Sequence, residues 1–236
     1  MKLKPNPGKS LKIKVDGKVF TRYPIKTKLI KPNDDMVEIV AEAVKDCVKP
    51  GDIVVFSEKA TAVAQNRAFH KDEVKVSWLA RFLSRYTTKS EKGIGISSPE
   101  TFQLALDDCG TSRILLAAAA AAITKPFGIK GVFYYVAGEK AALIDGAADY
   151  VCPPYNKYVS MGPENCEAMC KAISKNLGGK VKVYVVDIND YGGRVVQKGS
   201  HPIDKKIITD AMKDNPLGQS KEMTPVGILR ELKIKN

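Results

Sequence analysis

Histidine is scarce in this chain. Only His70 and His201 occur among 236 residues, and they make no Ser-His-acid order of the kind that activates a nucleophile. His201 precedes Pro202 at an expected helix start, where a structural or solvent-facing role fits better than general-base chemistry. The phosphate loop GxxxxGK[ST] is absent, and so is the dinucleotide fingerprint GxGxxG. A P-loop or Rossmann site is therefore excluded, and a nucleotide would have to be held by other means. The five cysteines form an odd set, unlike a disulfide framework. Cys166 and Cys170 can share a helix face, but tetrahedral zinc would need two further ligands beside them. They read as small buried hydrophobes. Long apolar runs are missing too. The most apolar stretch, Ile114–Ile123, is mostly alanine and too short to cross a bilayer, so it reads as a packed helix. The N-terminus, MKLKPNPGKSLKIKV, is basic without the apolar segment of a secretory signal. The expectation is a soluble, cytoplasmic protein with no membrane partner.

What is present is enough for a folded core. Hydrophobic residues make up 44% of the chain, sufficient apolar surface to offset chain entropy. The length suits one large domain or two intertwined ones. A formal charge of +12 favours anionic partners. The lysines are spread along the chain, with no dense basic arm or aromatic-basic module, so a nucleotide or phosphorylated small molecule fits better than nucleic acid.

Periodicity predicts a mixed α/β chain. Asp16-Gly17 marks a hairpin between strands over Leu11–Tyr23. Asn33 is placed to cap a helix through MVEIVAEAVKD, with Val37, Val40, Ala41 and Val44 on one face. DIVVFS (Asp52–Ser57) and VKVYVVDI (Val181–Ile188) read as strands, the second as a buried one. A helix carries Val76, Leu79, Ala80, Phe82 and Leu83, with Trp78 beside it. Thr87–Ser98 reads as a loop and a possible domain boundary. Ser112 is expected to cap the alanine-rich helix. GVFYYVAG and AALIDG are strand candidates. A helix runs from about Pro163 to Leu177 and stops at Gly178-Gly179. Val195-Val196 suggests a strand, Ser200 and Pro202 open a helix through Met212, and Pro225–Leu229 suggests the final strand.

Four local groups carry possible chemistry. In GDIVVFSEKATAVAQNR, Ser57, Glu58 and Lys59 bring a hydroxyl, a carboxylate and an ammonium together at a strand end. Lys59 and Arg67 can contact phosphate; solvated strand-end charges are the alternative. In LDDCGTSR, Asp107 and Asp108 offer oxygen ligands to a hard cation. Gly110, Thr111 and Ser112 there offer close backbone approach and hydroxyls to phosphate. The same acids can equally cap a turn. In VVDINDYGGR, Asp190 at the end of a buried strand can bind Mg²⁺ or Mn²⁺, Arg194 can meet phosphate, and Asp187 can orient the loop. In NPLGQS, Gln219 is a candidate metal or nucleotide ligand and Ser220 a phosphate contact. Lys26-Thr27-Lys28 and Asn33-Asp34-Asp35 can contribute at the same mouth.

These motifs resemble the coenzyme F420-0:gamma-glutamyl ligase family. LIKPNDDM is similar to its IPxIxxGDDL segment, GDIVVFSEKATAVAQNR to GDxxVVSxKIVSxAEGR, and Asp190-Tyr191-Gly192-Gly193-Arg194 to its D-T-x-G-R motif. The resemblance implies an α+β fold that is neither Rossmann nor P-loop, a single ligase-like domain over 1–236 with two interleaved subdomains meeting near 87–98, and an intertwined homodimer. It implies GTP as cosubstrate, with ATP as the alternative, and Mg²⁺ or Mn²⁺. The activity implied is amide ligation, adding L-glutamate to a carboxylate activated as an acyl phosphate; the alternatives are a related ligase with a different carboxylate and amine, or a non-catalytic nucleotide-binding protein. Asp190 inherits the metal role, and Lys59 and Arg194 become phosphate contacts in the catalytic set. One departure stands out. Where the family has N-A-G-x-D, this chain has Asp108-Cys109-Gly110-Thr111-Ser112, so Ser112 takes the place of the acidic ligand, and Asp107 and Asp108 are the candidates to compensate from a shifted position.

Overall fold

Asp16 and Gly17 adopt positive φ, 46° and 78°, which closes a two-residue turn between β1 (Lys12–Val15) and β2 (Lys18–Ile25). Such a turn matches the natural twist of the flanking strands. It sets the pairing Val15↔Lys18. The computed structural model describes residues 3–87, 95–190, 192–196, 199–202, 205–218 and 221–232. The chain divides into two units, 1–65 with 163–236, and 66–162. The segment Thr87–Ser98 falls within the second, and 88–94 lies outside the described residues.

The first unit is built on a six-stranded sheet. Its order is β1-β2-β8-β3-β6-β7, with β3 at Ile53–Ser57, β6 at Lys182–Asn189, β7 at Gly192–Val196 and β8 at Val226–Leu232. Among the described residues β3 and β6 pair in parallel and the other ladders are antiparallel. This mixed sheet is the expected α+β class.

One core joins Ile53, Val55, Tyr184 and Val186 with Ile208, Ala211 and Met212 of α9 (Lys205–Met212). The alternating set Val54, Phe56, Val183 and Val185 is buried as well, so both faces of β3 and β6 are covered. That explains why both strands read as continuous apolar runs.

Helix α1 (Met36–Val44) buries Met36, Val40 and Val44. Its cap is Asp35, whose carboxylate accepts from Val37 N and Glu38 N; Asn33 instead takes φ 65° in the preceding turn. Asparagine is tolerated in that left-handed region, and the N-cap position falls two residues later, on Asp35. Helix α8 (Cys166–Asn176) packs beside β6 with Cys166, Cys170 and Ile173 inside. Burial pushes the two thiols up, to about 11 for Cys166 and about 12 for Cys170, as expected of inert core cysteines.

The second unit pairs β4 (Ala68–His70) with β5 (Tyr158–Ser160) and gathers five helices among its described residues. These are α3 (Trp78–Ser84), α4 (Pro99–Cys109), α5 (Thr111–Thr124), α6 (Val132–Ala137) and α7 (Glu139–Ala142). Their core joins Phe102, Leu106, Ile114, Ala117, Ala137 and Ile144.

Three expectations change here. GVFYYVAG is helix α6, entered at Gly131 (φ 83°) and left at Gly138 (φ 90°), and most of AALIDG follows α7. Packing on α5 overrides the β-propensity of Val, Phe and Tyr. LDDC forms the end of α4, a helix opened by Pro99 and the Ser98–Thr101 capping box. Ser112 is not a cap, because Gly110 holds the N-cap position of α5 and Ser112 sits inside the first turn. Among the described residues no helix is long and apolar enough to cross a membrane.

Candidate functional site

The parallel pairing of β3 with β6 aligns Ser57 with Val186, so both strands end together. Side chains just beyond this register are neighbours in space although far apart in sequence. Strand ends of this kind are where open α/β sheets place ligands.

Ser57 turns the chain into α2 (Glu58–Ala64). Its Oγ accepts from Ala60 N at 3.4 Å, and its carbonyl accepts from the Thr61 hydroxyl at 2.8 Å. Glu58 is thereby turned inward and is 3% exposed. Its carboxylate lies within 4.8 Å of that of Asp187. Lys59 follows in the same turn, half-buried.

Asp187 is opposite Arg194 in the β6–β7 ladder, and Arg194 Nε donates to Asp187 Oδ2 at 3.2 Å. The strand end therefore joins a hydroxyl, two carboxylates and a guanidinium. Asp187 is brought into the centre of this group, beyond an orienting role in the loop.

Asp190 belongs to the same hairpin but is held from another side. Its Oδ1 accepts from Lys9 Nζ at 3.3 Å and from Asn215 Nδ2 at 3.2 Å. Gln219, Ser220 and Tyr191 lie outside the described residues. Asp34 accepts from Lys28 Nζ and Lys31 N, and these bonds hold its carboxyl below the ordinary value. His201 is structural: Nδ1 lies 2.8 Å from Ser200 Oγ, and its carbonyl accepts from Tyr184 Oη at 2.5 Å.

In the second unit, Arg67 and Asp108 meet each other. Arg67 donates through Nη2 to Asp108 Oδ1 at 2.7 Å and through Nε to the Gly162 carbonyl at 2.6 Å. Lys140 Nζ stands 3.4 Å from the same Asp108 oxygen. Asp108 closes α4 at the negative end of the helix dipole, where a buried carboxylate needs such cations. Asp107 accepts from Gln103 Nε2 at 2.8 Å on the exposed side of the same turn. Gly110 has φ 88°, a conformation that favours glycine, and Thr111 and Ser112 are exposed beyond it.

A model of the F420-0:gamma-glutamyl ligase family matches residues 24–204. The chain belongs to that family. No curated protein matched it. The span covers Ser57, Glu58, Lys59, Asp187, Asp190 and Arg194, whereas Lys9 and Asn215 fall outside it.

The donors in the chain's first unit suit a hard divalent cation. Glu58 and Asp187 offer carboxylate oxygens close together, and Asp190 with the Asp214 carbonyl already coordinates a positive charge, the Lys9 ammonium. Glu58 stood in a quoted motif, but only the β3–β6 register shows that it meets Asp187. Lys9 carried no sequence signal at all.

Proposed function

We propose that this chain is a GTP-driven amide ligase that adds L-glutamate to the carboxylate of a coenzyme F420 precursor. The observation that carries the reading is the Glu58–Asp187–Arg194 group at the joint end of β3 and β6, inside the family-matched span. Activation would join a substrate carboxylate oxygen to the γ-phosphorus of GTP and release GDP. The glutamate amine would then attack the acyl carbon, expel phosphate and lose its proton.

Lys59 and Arg194 are the cationic contacts for phosphate oxygens, Arg194 in the orientation that Asp187 sets. Ser57, Gly110, Thr111, Ser112, Arg67, Gln219 and Ser220 remain the proposed nucleotide-binding set. Glu58 with Asp187 would hold Mg²⁺ or Mn²⁺ at the strand end, and Asp190 would hold one in its own loop, with Asp107, Asp108 and Gln219 as further proposed ligands. When bound, the metal would offset charge on the transferring phosphoryl group.

A cytoplasmic homodimer is part of the proposal. Support comes from α5, whose outward stripe Leu115, Leu116, Ala119, Ala122 and Ile123 is apolar and exposed. A helix apolar on both faces fits burial against a second surface.

The test is incubation with GTP or ATP, Mg²⁺ or Mn²⁺, the F420-0 precursor and glutamate, with mass detection. Addition of one glutamyl unit supports the assignment. Tight nucleotide binding without product points to a ligase for a different carboxylate and amine, or to a binding protein. That reading draws on Asp108, already engaged by Arg67 and Lys140, and on Ser112, which supplies no carboxylate in its place.

A further inference from the structure

The segment ahead of β1 is fastened, and it ends on the motif acid. Asn6-Pro7-Gly8-Lys9 forms a tight turn in which Lys9 N donates to the Asn6 carbonyl at 3.1 Å and Gly8 takes φ 73°. Proline then glycine at the two central positions suits a type II turn. Asn6 Nδ2 reaches the carbonyls of Pro216 and Leu217 and the Thr224 hydroxyl, at 3.1, 2.9 and 2.9 Å. On the other side, Arg22 ties down the Ser10 carbonyl at 2.6 Å and the Leu11 carbonyl at 2.8 Å.

Between these anchors Lys9 sends its ammonium to Asp190 Oδ1 at 3.3 Å and to the Asp214 carbonyl at 2.7 Å. Its side chain is 26% exposed. An ordinary surface pair holds its partners loosely and contributes little to stability. This lysine is different because two oxygens from separate loops converge on it and a pinned turn carries it there. Asn215, fully buried, donates Nδ2 to the same Asp190 oxygen, while its own Oδ1 is buried with no hydrogen-bond partner among the described residues.

We infer that Lys9 is the resident cation of the Asp190 loop, an ammonium that a divalent ion must displace to bind there. The inference rests on the proposed metal role of Asp190. It makes Lys9, which lies outside the family-matched span, a positioning residue that sets how tightly and how selectively the loop takes a metal. The oxygens that hold the ammonium, Asp190 Oδ1 and the Asp214 carbonyl, are hard donors of the type Mg²⁺ and Mn²⁺ accept, and Asn215 Oδ1 is a third. Displacement separates Lys9 from Asp190 and leaves an ammonium beside the loop, where it repels an incoming cation.

The test is a Mn²⁺ titration of the full chain without nucleotide, read by the loss of the free-ion resonance signal. Lys9→Gln is expected to tighten Mn²⁺ binding about three- to tenfold at low ionic strength, with the gap shrinking at high salt. Lys9→Arg keeps the charge and is expected to stay near the original affinity. Asn6→Ala loosens the strap without touching charge and is expected to move in the direction of Lys9→Gln by a smaller factor. Thermal melts of each variant separate a change in affinity from a loss of fold, because a merely structural lysine would shift the melt and leave the affinity of the folded fraction unchanged. Loss of Mn²⁺ binding in Asp190→Asn together with unchanged affinity in Lys9→Gln overturns the role of Lys9 and leaves the metal assignment standing. Undiminished binding in Asp190→Asn overturns both.

Discussion

The two units handle apolar surface in opposite ways. In the sheet unit, two buried charges, Asp52 and Arg22, have oppositely charged partners within the unit. Asp52, 2% exposed, accepts from Arg230 Nε at 2.8 Å and Nη2 at 2.7 Å, and Arg22 forms a two-pronged pair with Asp214. Apolar strands are covered on both faces. In the helical unit one acid, Asp108, is answered in the same manner, but apolar surface is left outward. Leu116 is 64% exposed and Ile123 68%, with Phe127 and Tyr135 more exposed still. Both faces of β3 and β6 are covered, whereas α5 has an outward face that the core of its own unit does not use. Contiguous apolar surface of this kind marks an interaction site.

The largest effect is expected where the contrast is chemical. Asp187→Asn removes the partner of Arg194 and one of two clustered carboxylates. Ligation, measured as glutamyl product per unit time, is expected to fall at least about a hundredfold, with the far-ultraviolet spectrum unchanged. Equal rates in variant and original would place the chemistry elsewhere.

The next prediction breaks the self-sufficiency of the sheet unit. Arg230→Ala strands the Asp52 carboxylate in the interior and is expected to destabilise the fold by about 3–5 kcal/mol in urea titration. A loss under about 1 kcal/mol would mean that the pair is not what holds that edge together.

A paired substitution, Leu116→Glu with Ile123→Glu, probes the other side. Each position is solvent-facing within one chain, so the effect on monomer stability is expected within about 0.5 kcal/mol per site. Sedimentation is expected to shift from dimer to monomer. An unchanged dimer would assign the α5 face to a different partner.

The smallest effect is a pH dependence. Burial alone would push the Asp214 carboxyl up, but the hydrogen bond and charge of Arg22, with Lys9 nearby, hold it below its ordinary value. Because the folded value lies below the unfolded one, the stabilisation is present above about pH 5 and is lost as pH falls through the folded value. The stability gap between the original chain and Asp214→Asn is therefore expected to narrow below about pH 4 in thermal melts.

Local signals were strongest where side-chain pattern and backbone preference agreed. The Asp16-Gly17 turn, the apolar runs of β3 and β6, and the α8 stop at Gly178-Gly179 all appear as expected. The strand readings that failed lie in the helical unit, at α6 and α7. There Val, Phe and Tyr sit in short segments whose state is decided by the helix they pack on, and propensity is a weak guide. The site was legible in parts. Asp190, Arg194, Ser57 and Lys59 stood in recognisable motifs, but no spacing could show that Glu58 lies beside Asp187 or that Arg67 is bound to Asp108.

The sequence by itself determined the family, the mixed α+β class, the freedom from Rossmann and P-loop signatures, and the acids and cations on which a nucleotide-metal site could draw. Those properties reside in residue identity and short-range periodicity. Tertiary structure alone decided which charges meet. The parallel register of β3 and β6 joins Glu58 to Asp187 across more than a hundred residues of chain, and a turn pinned by Asn6 carries Lys9 to Asp190. Such contacts depend on long-range pairing, which composition and spacing do not encode.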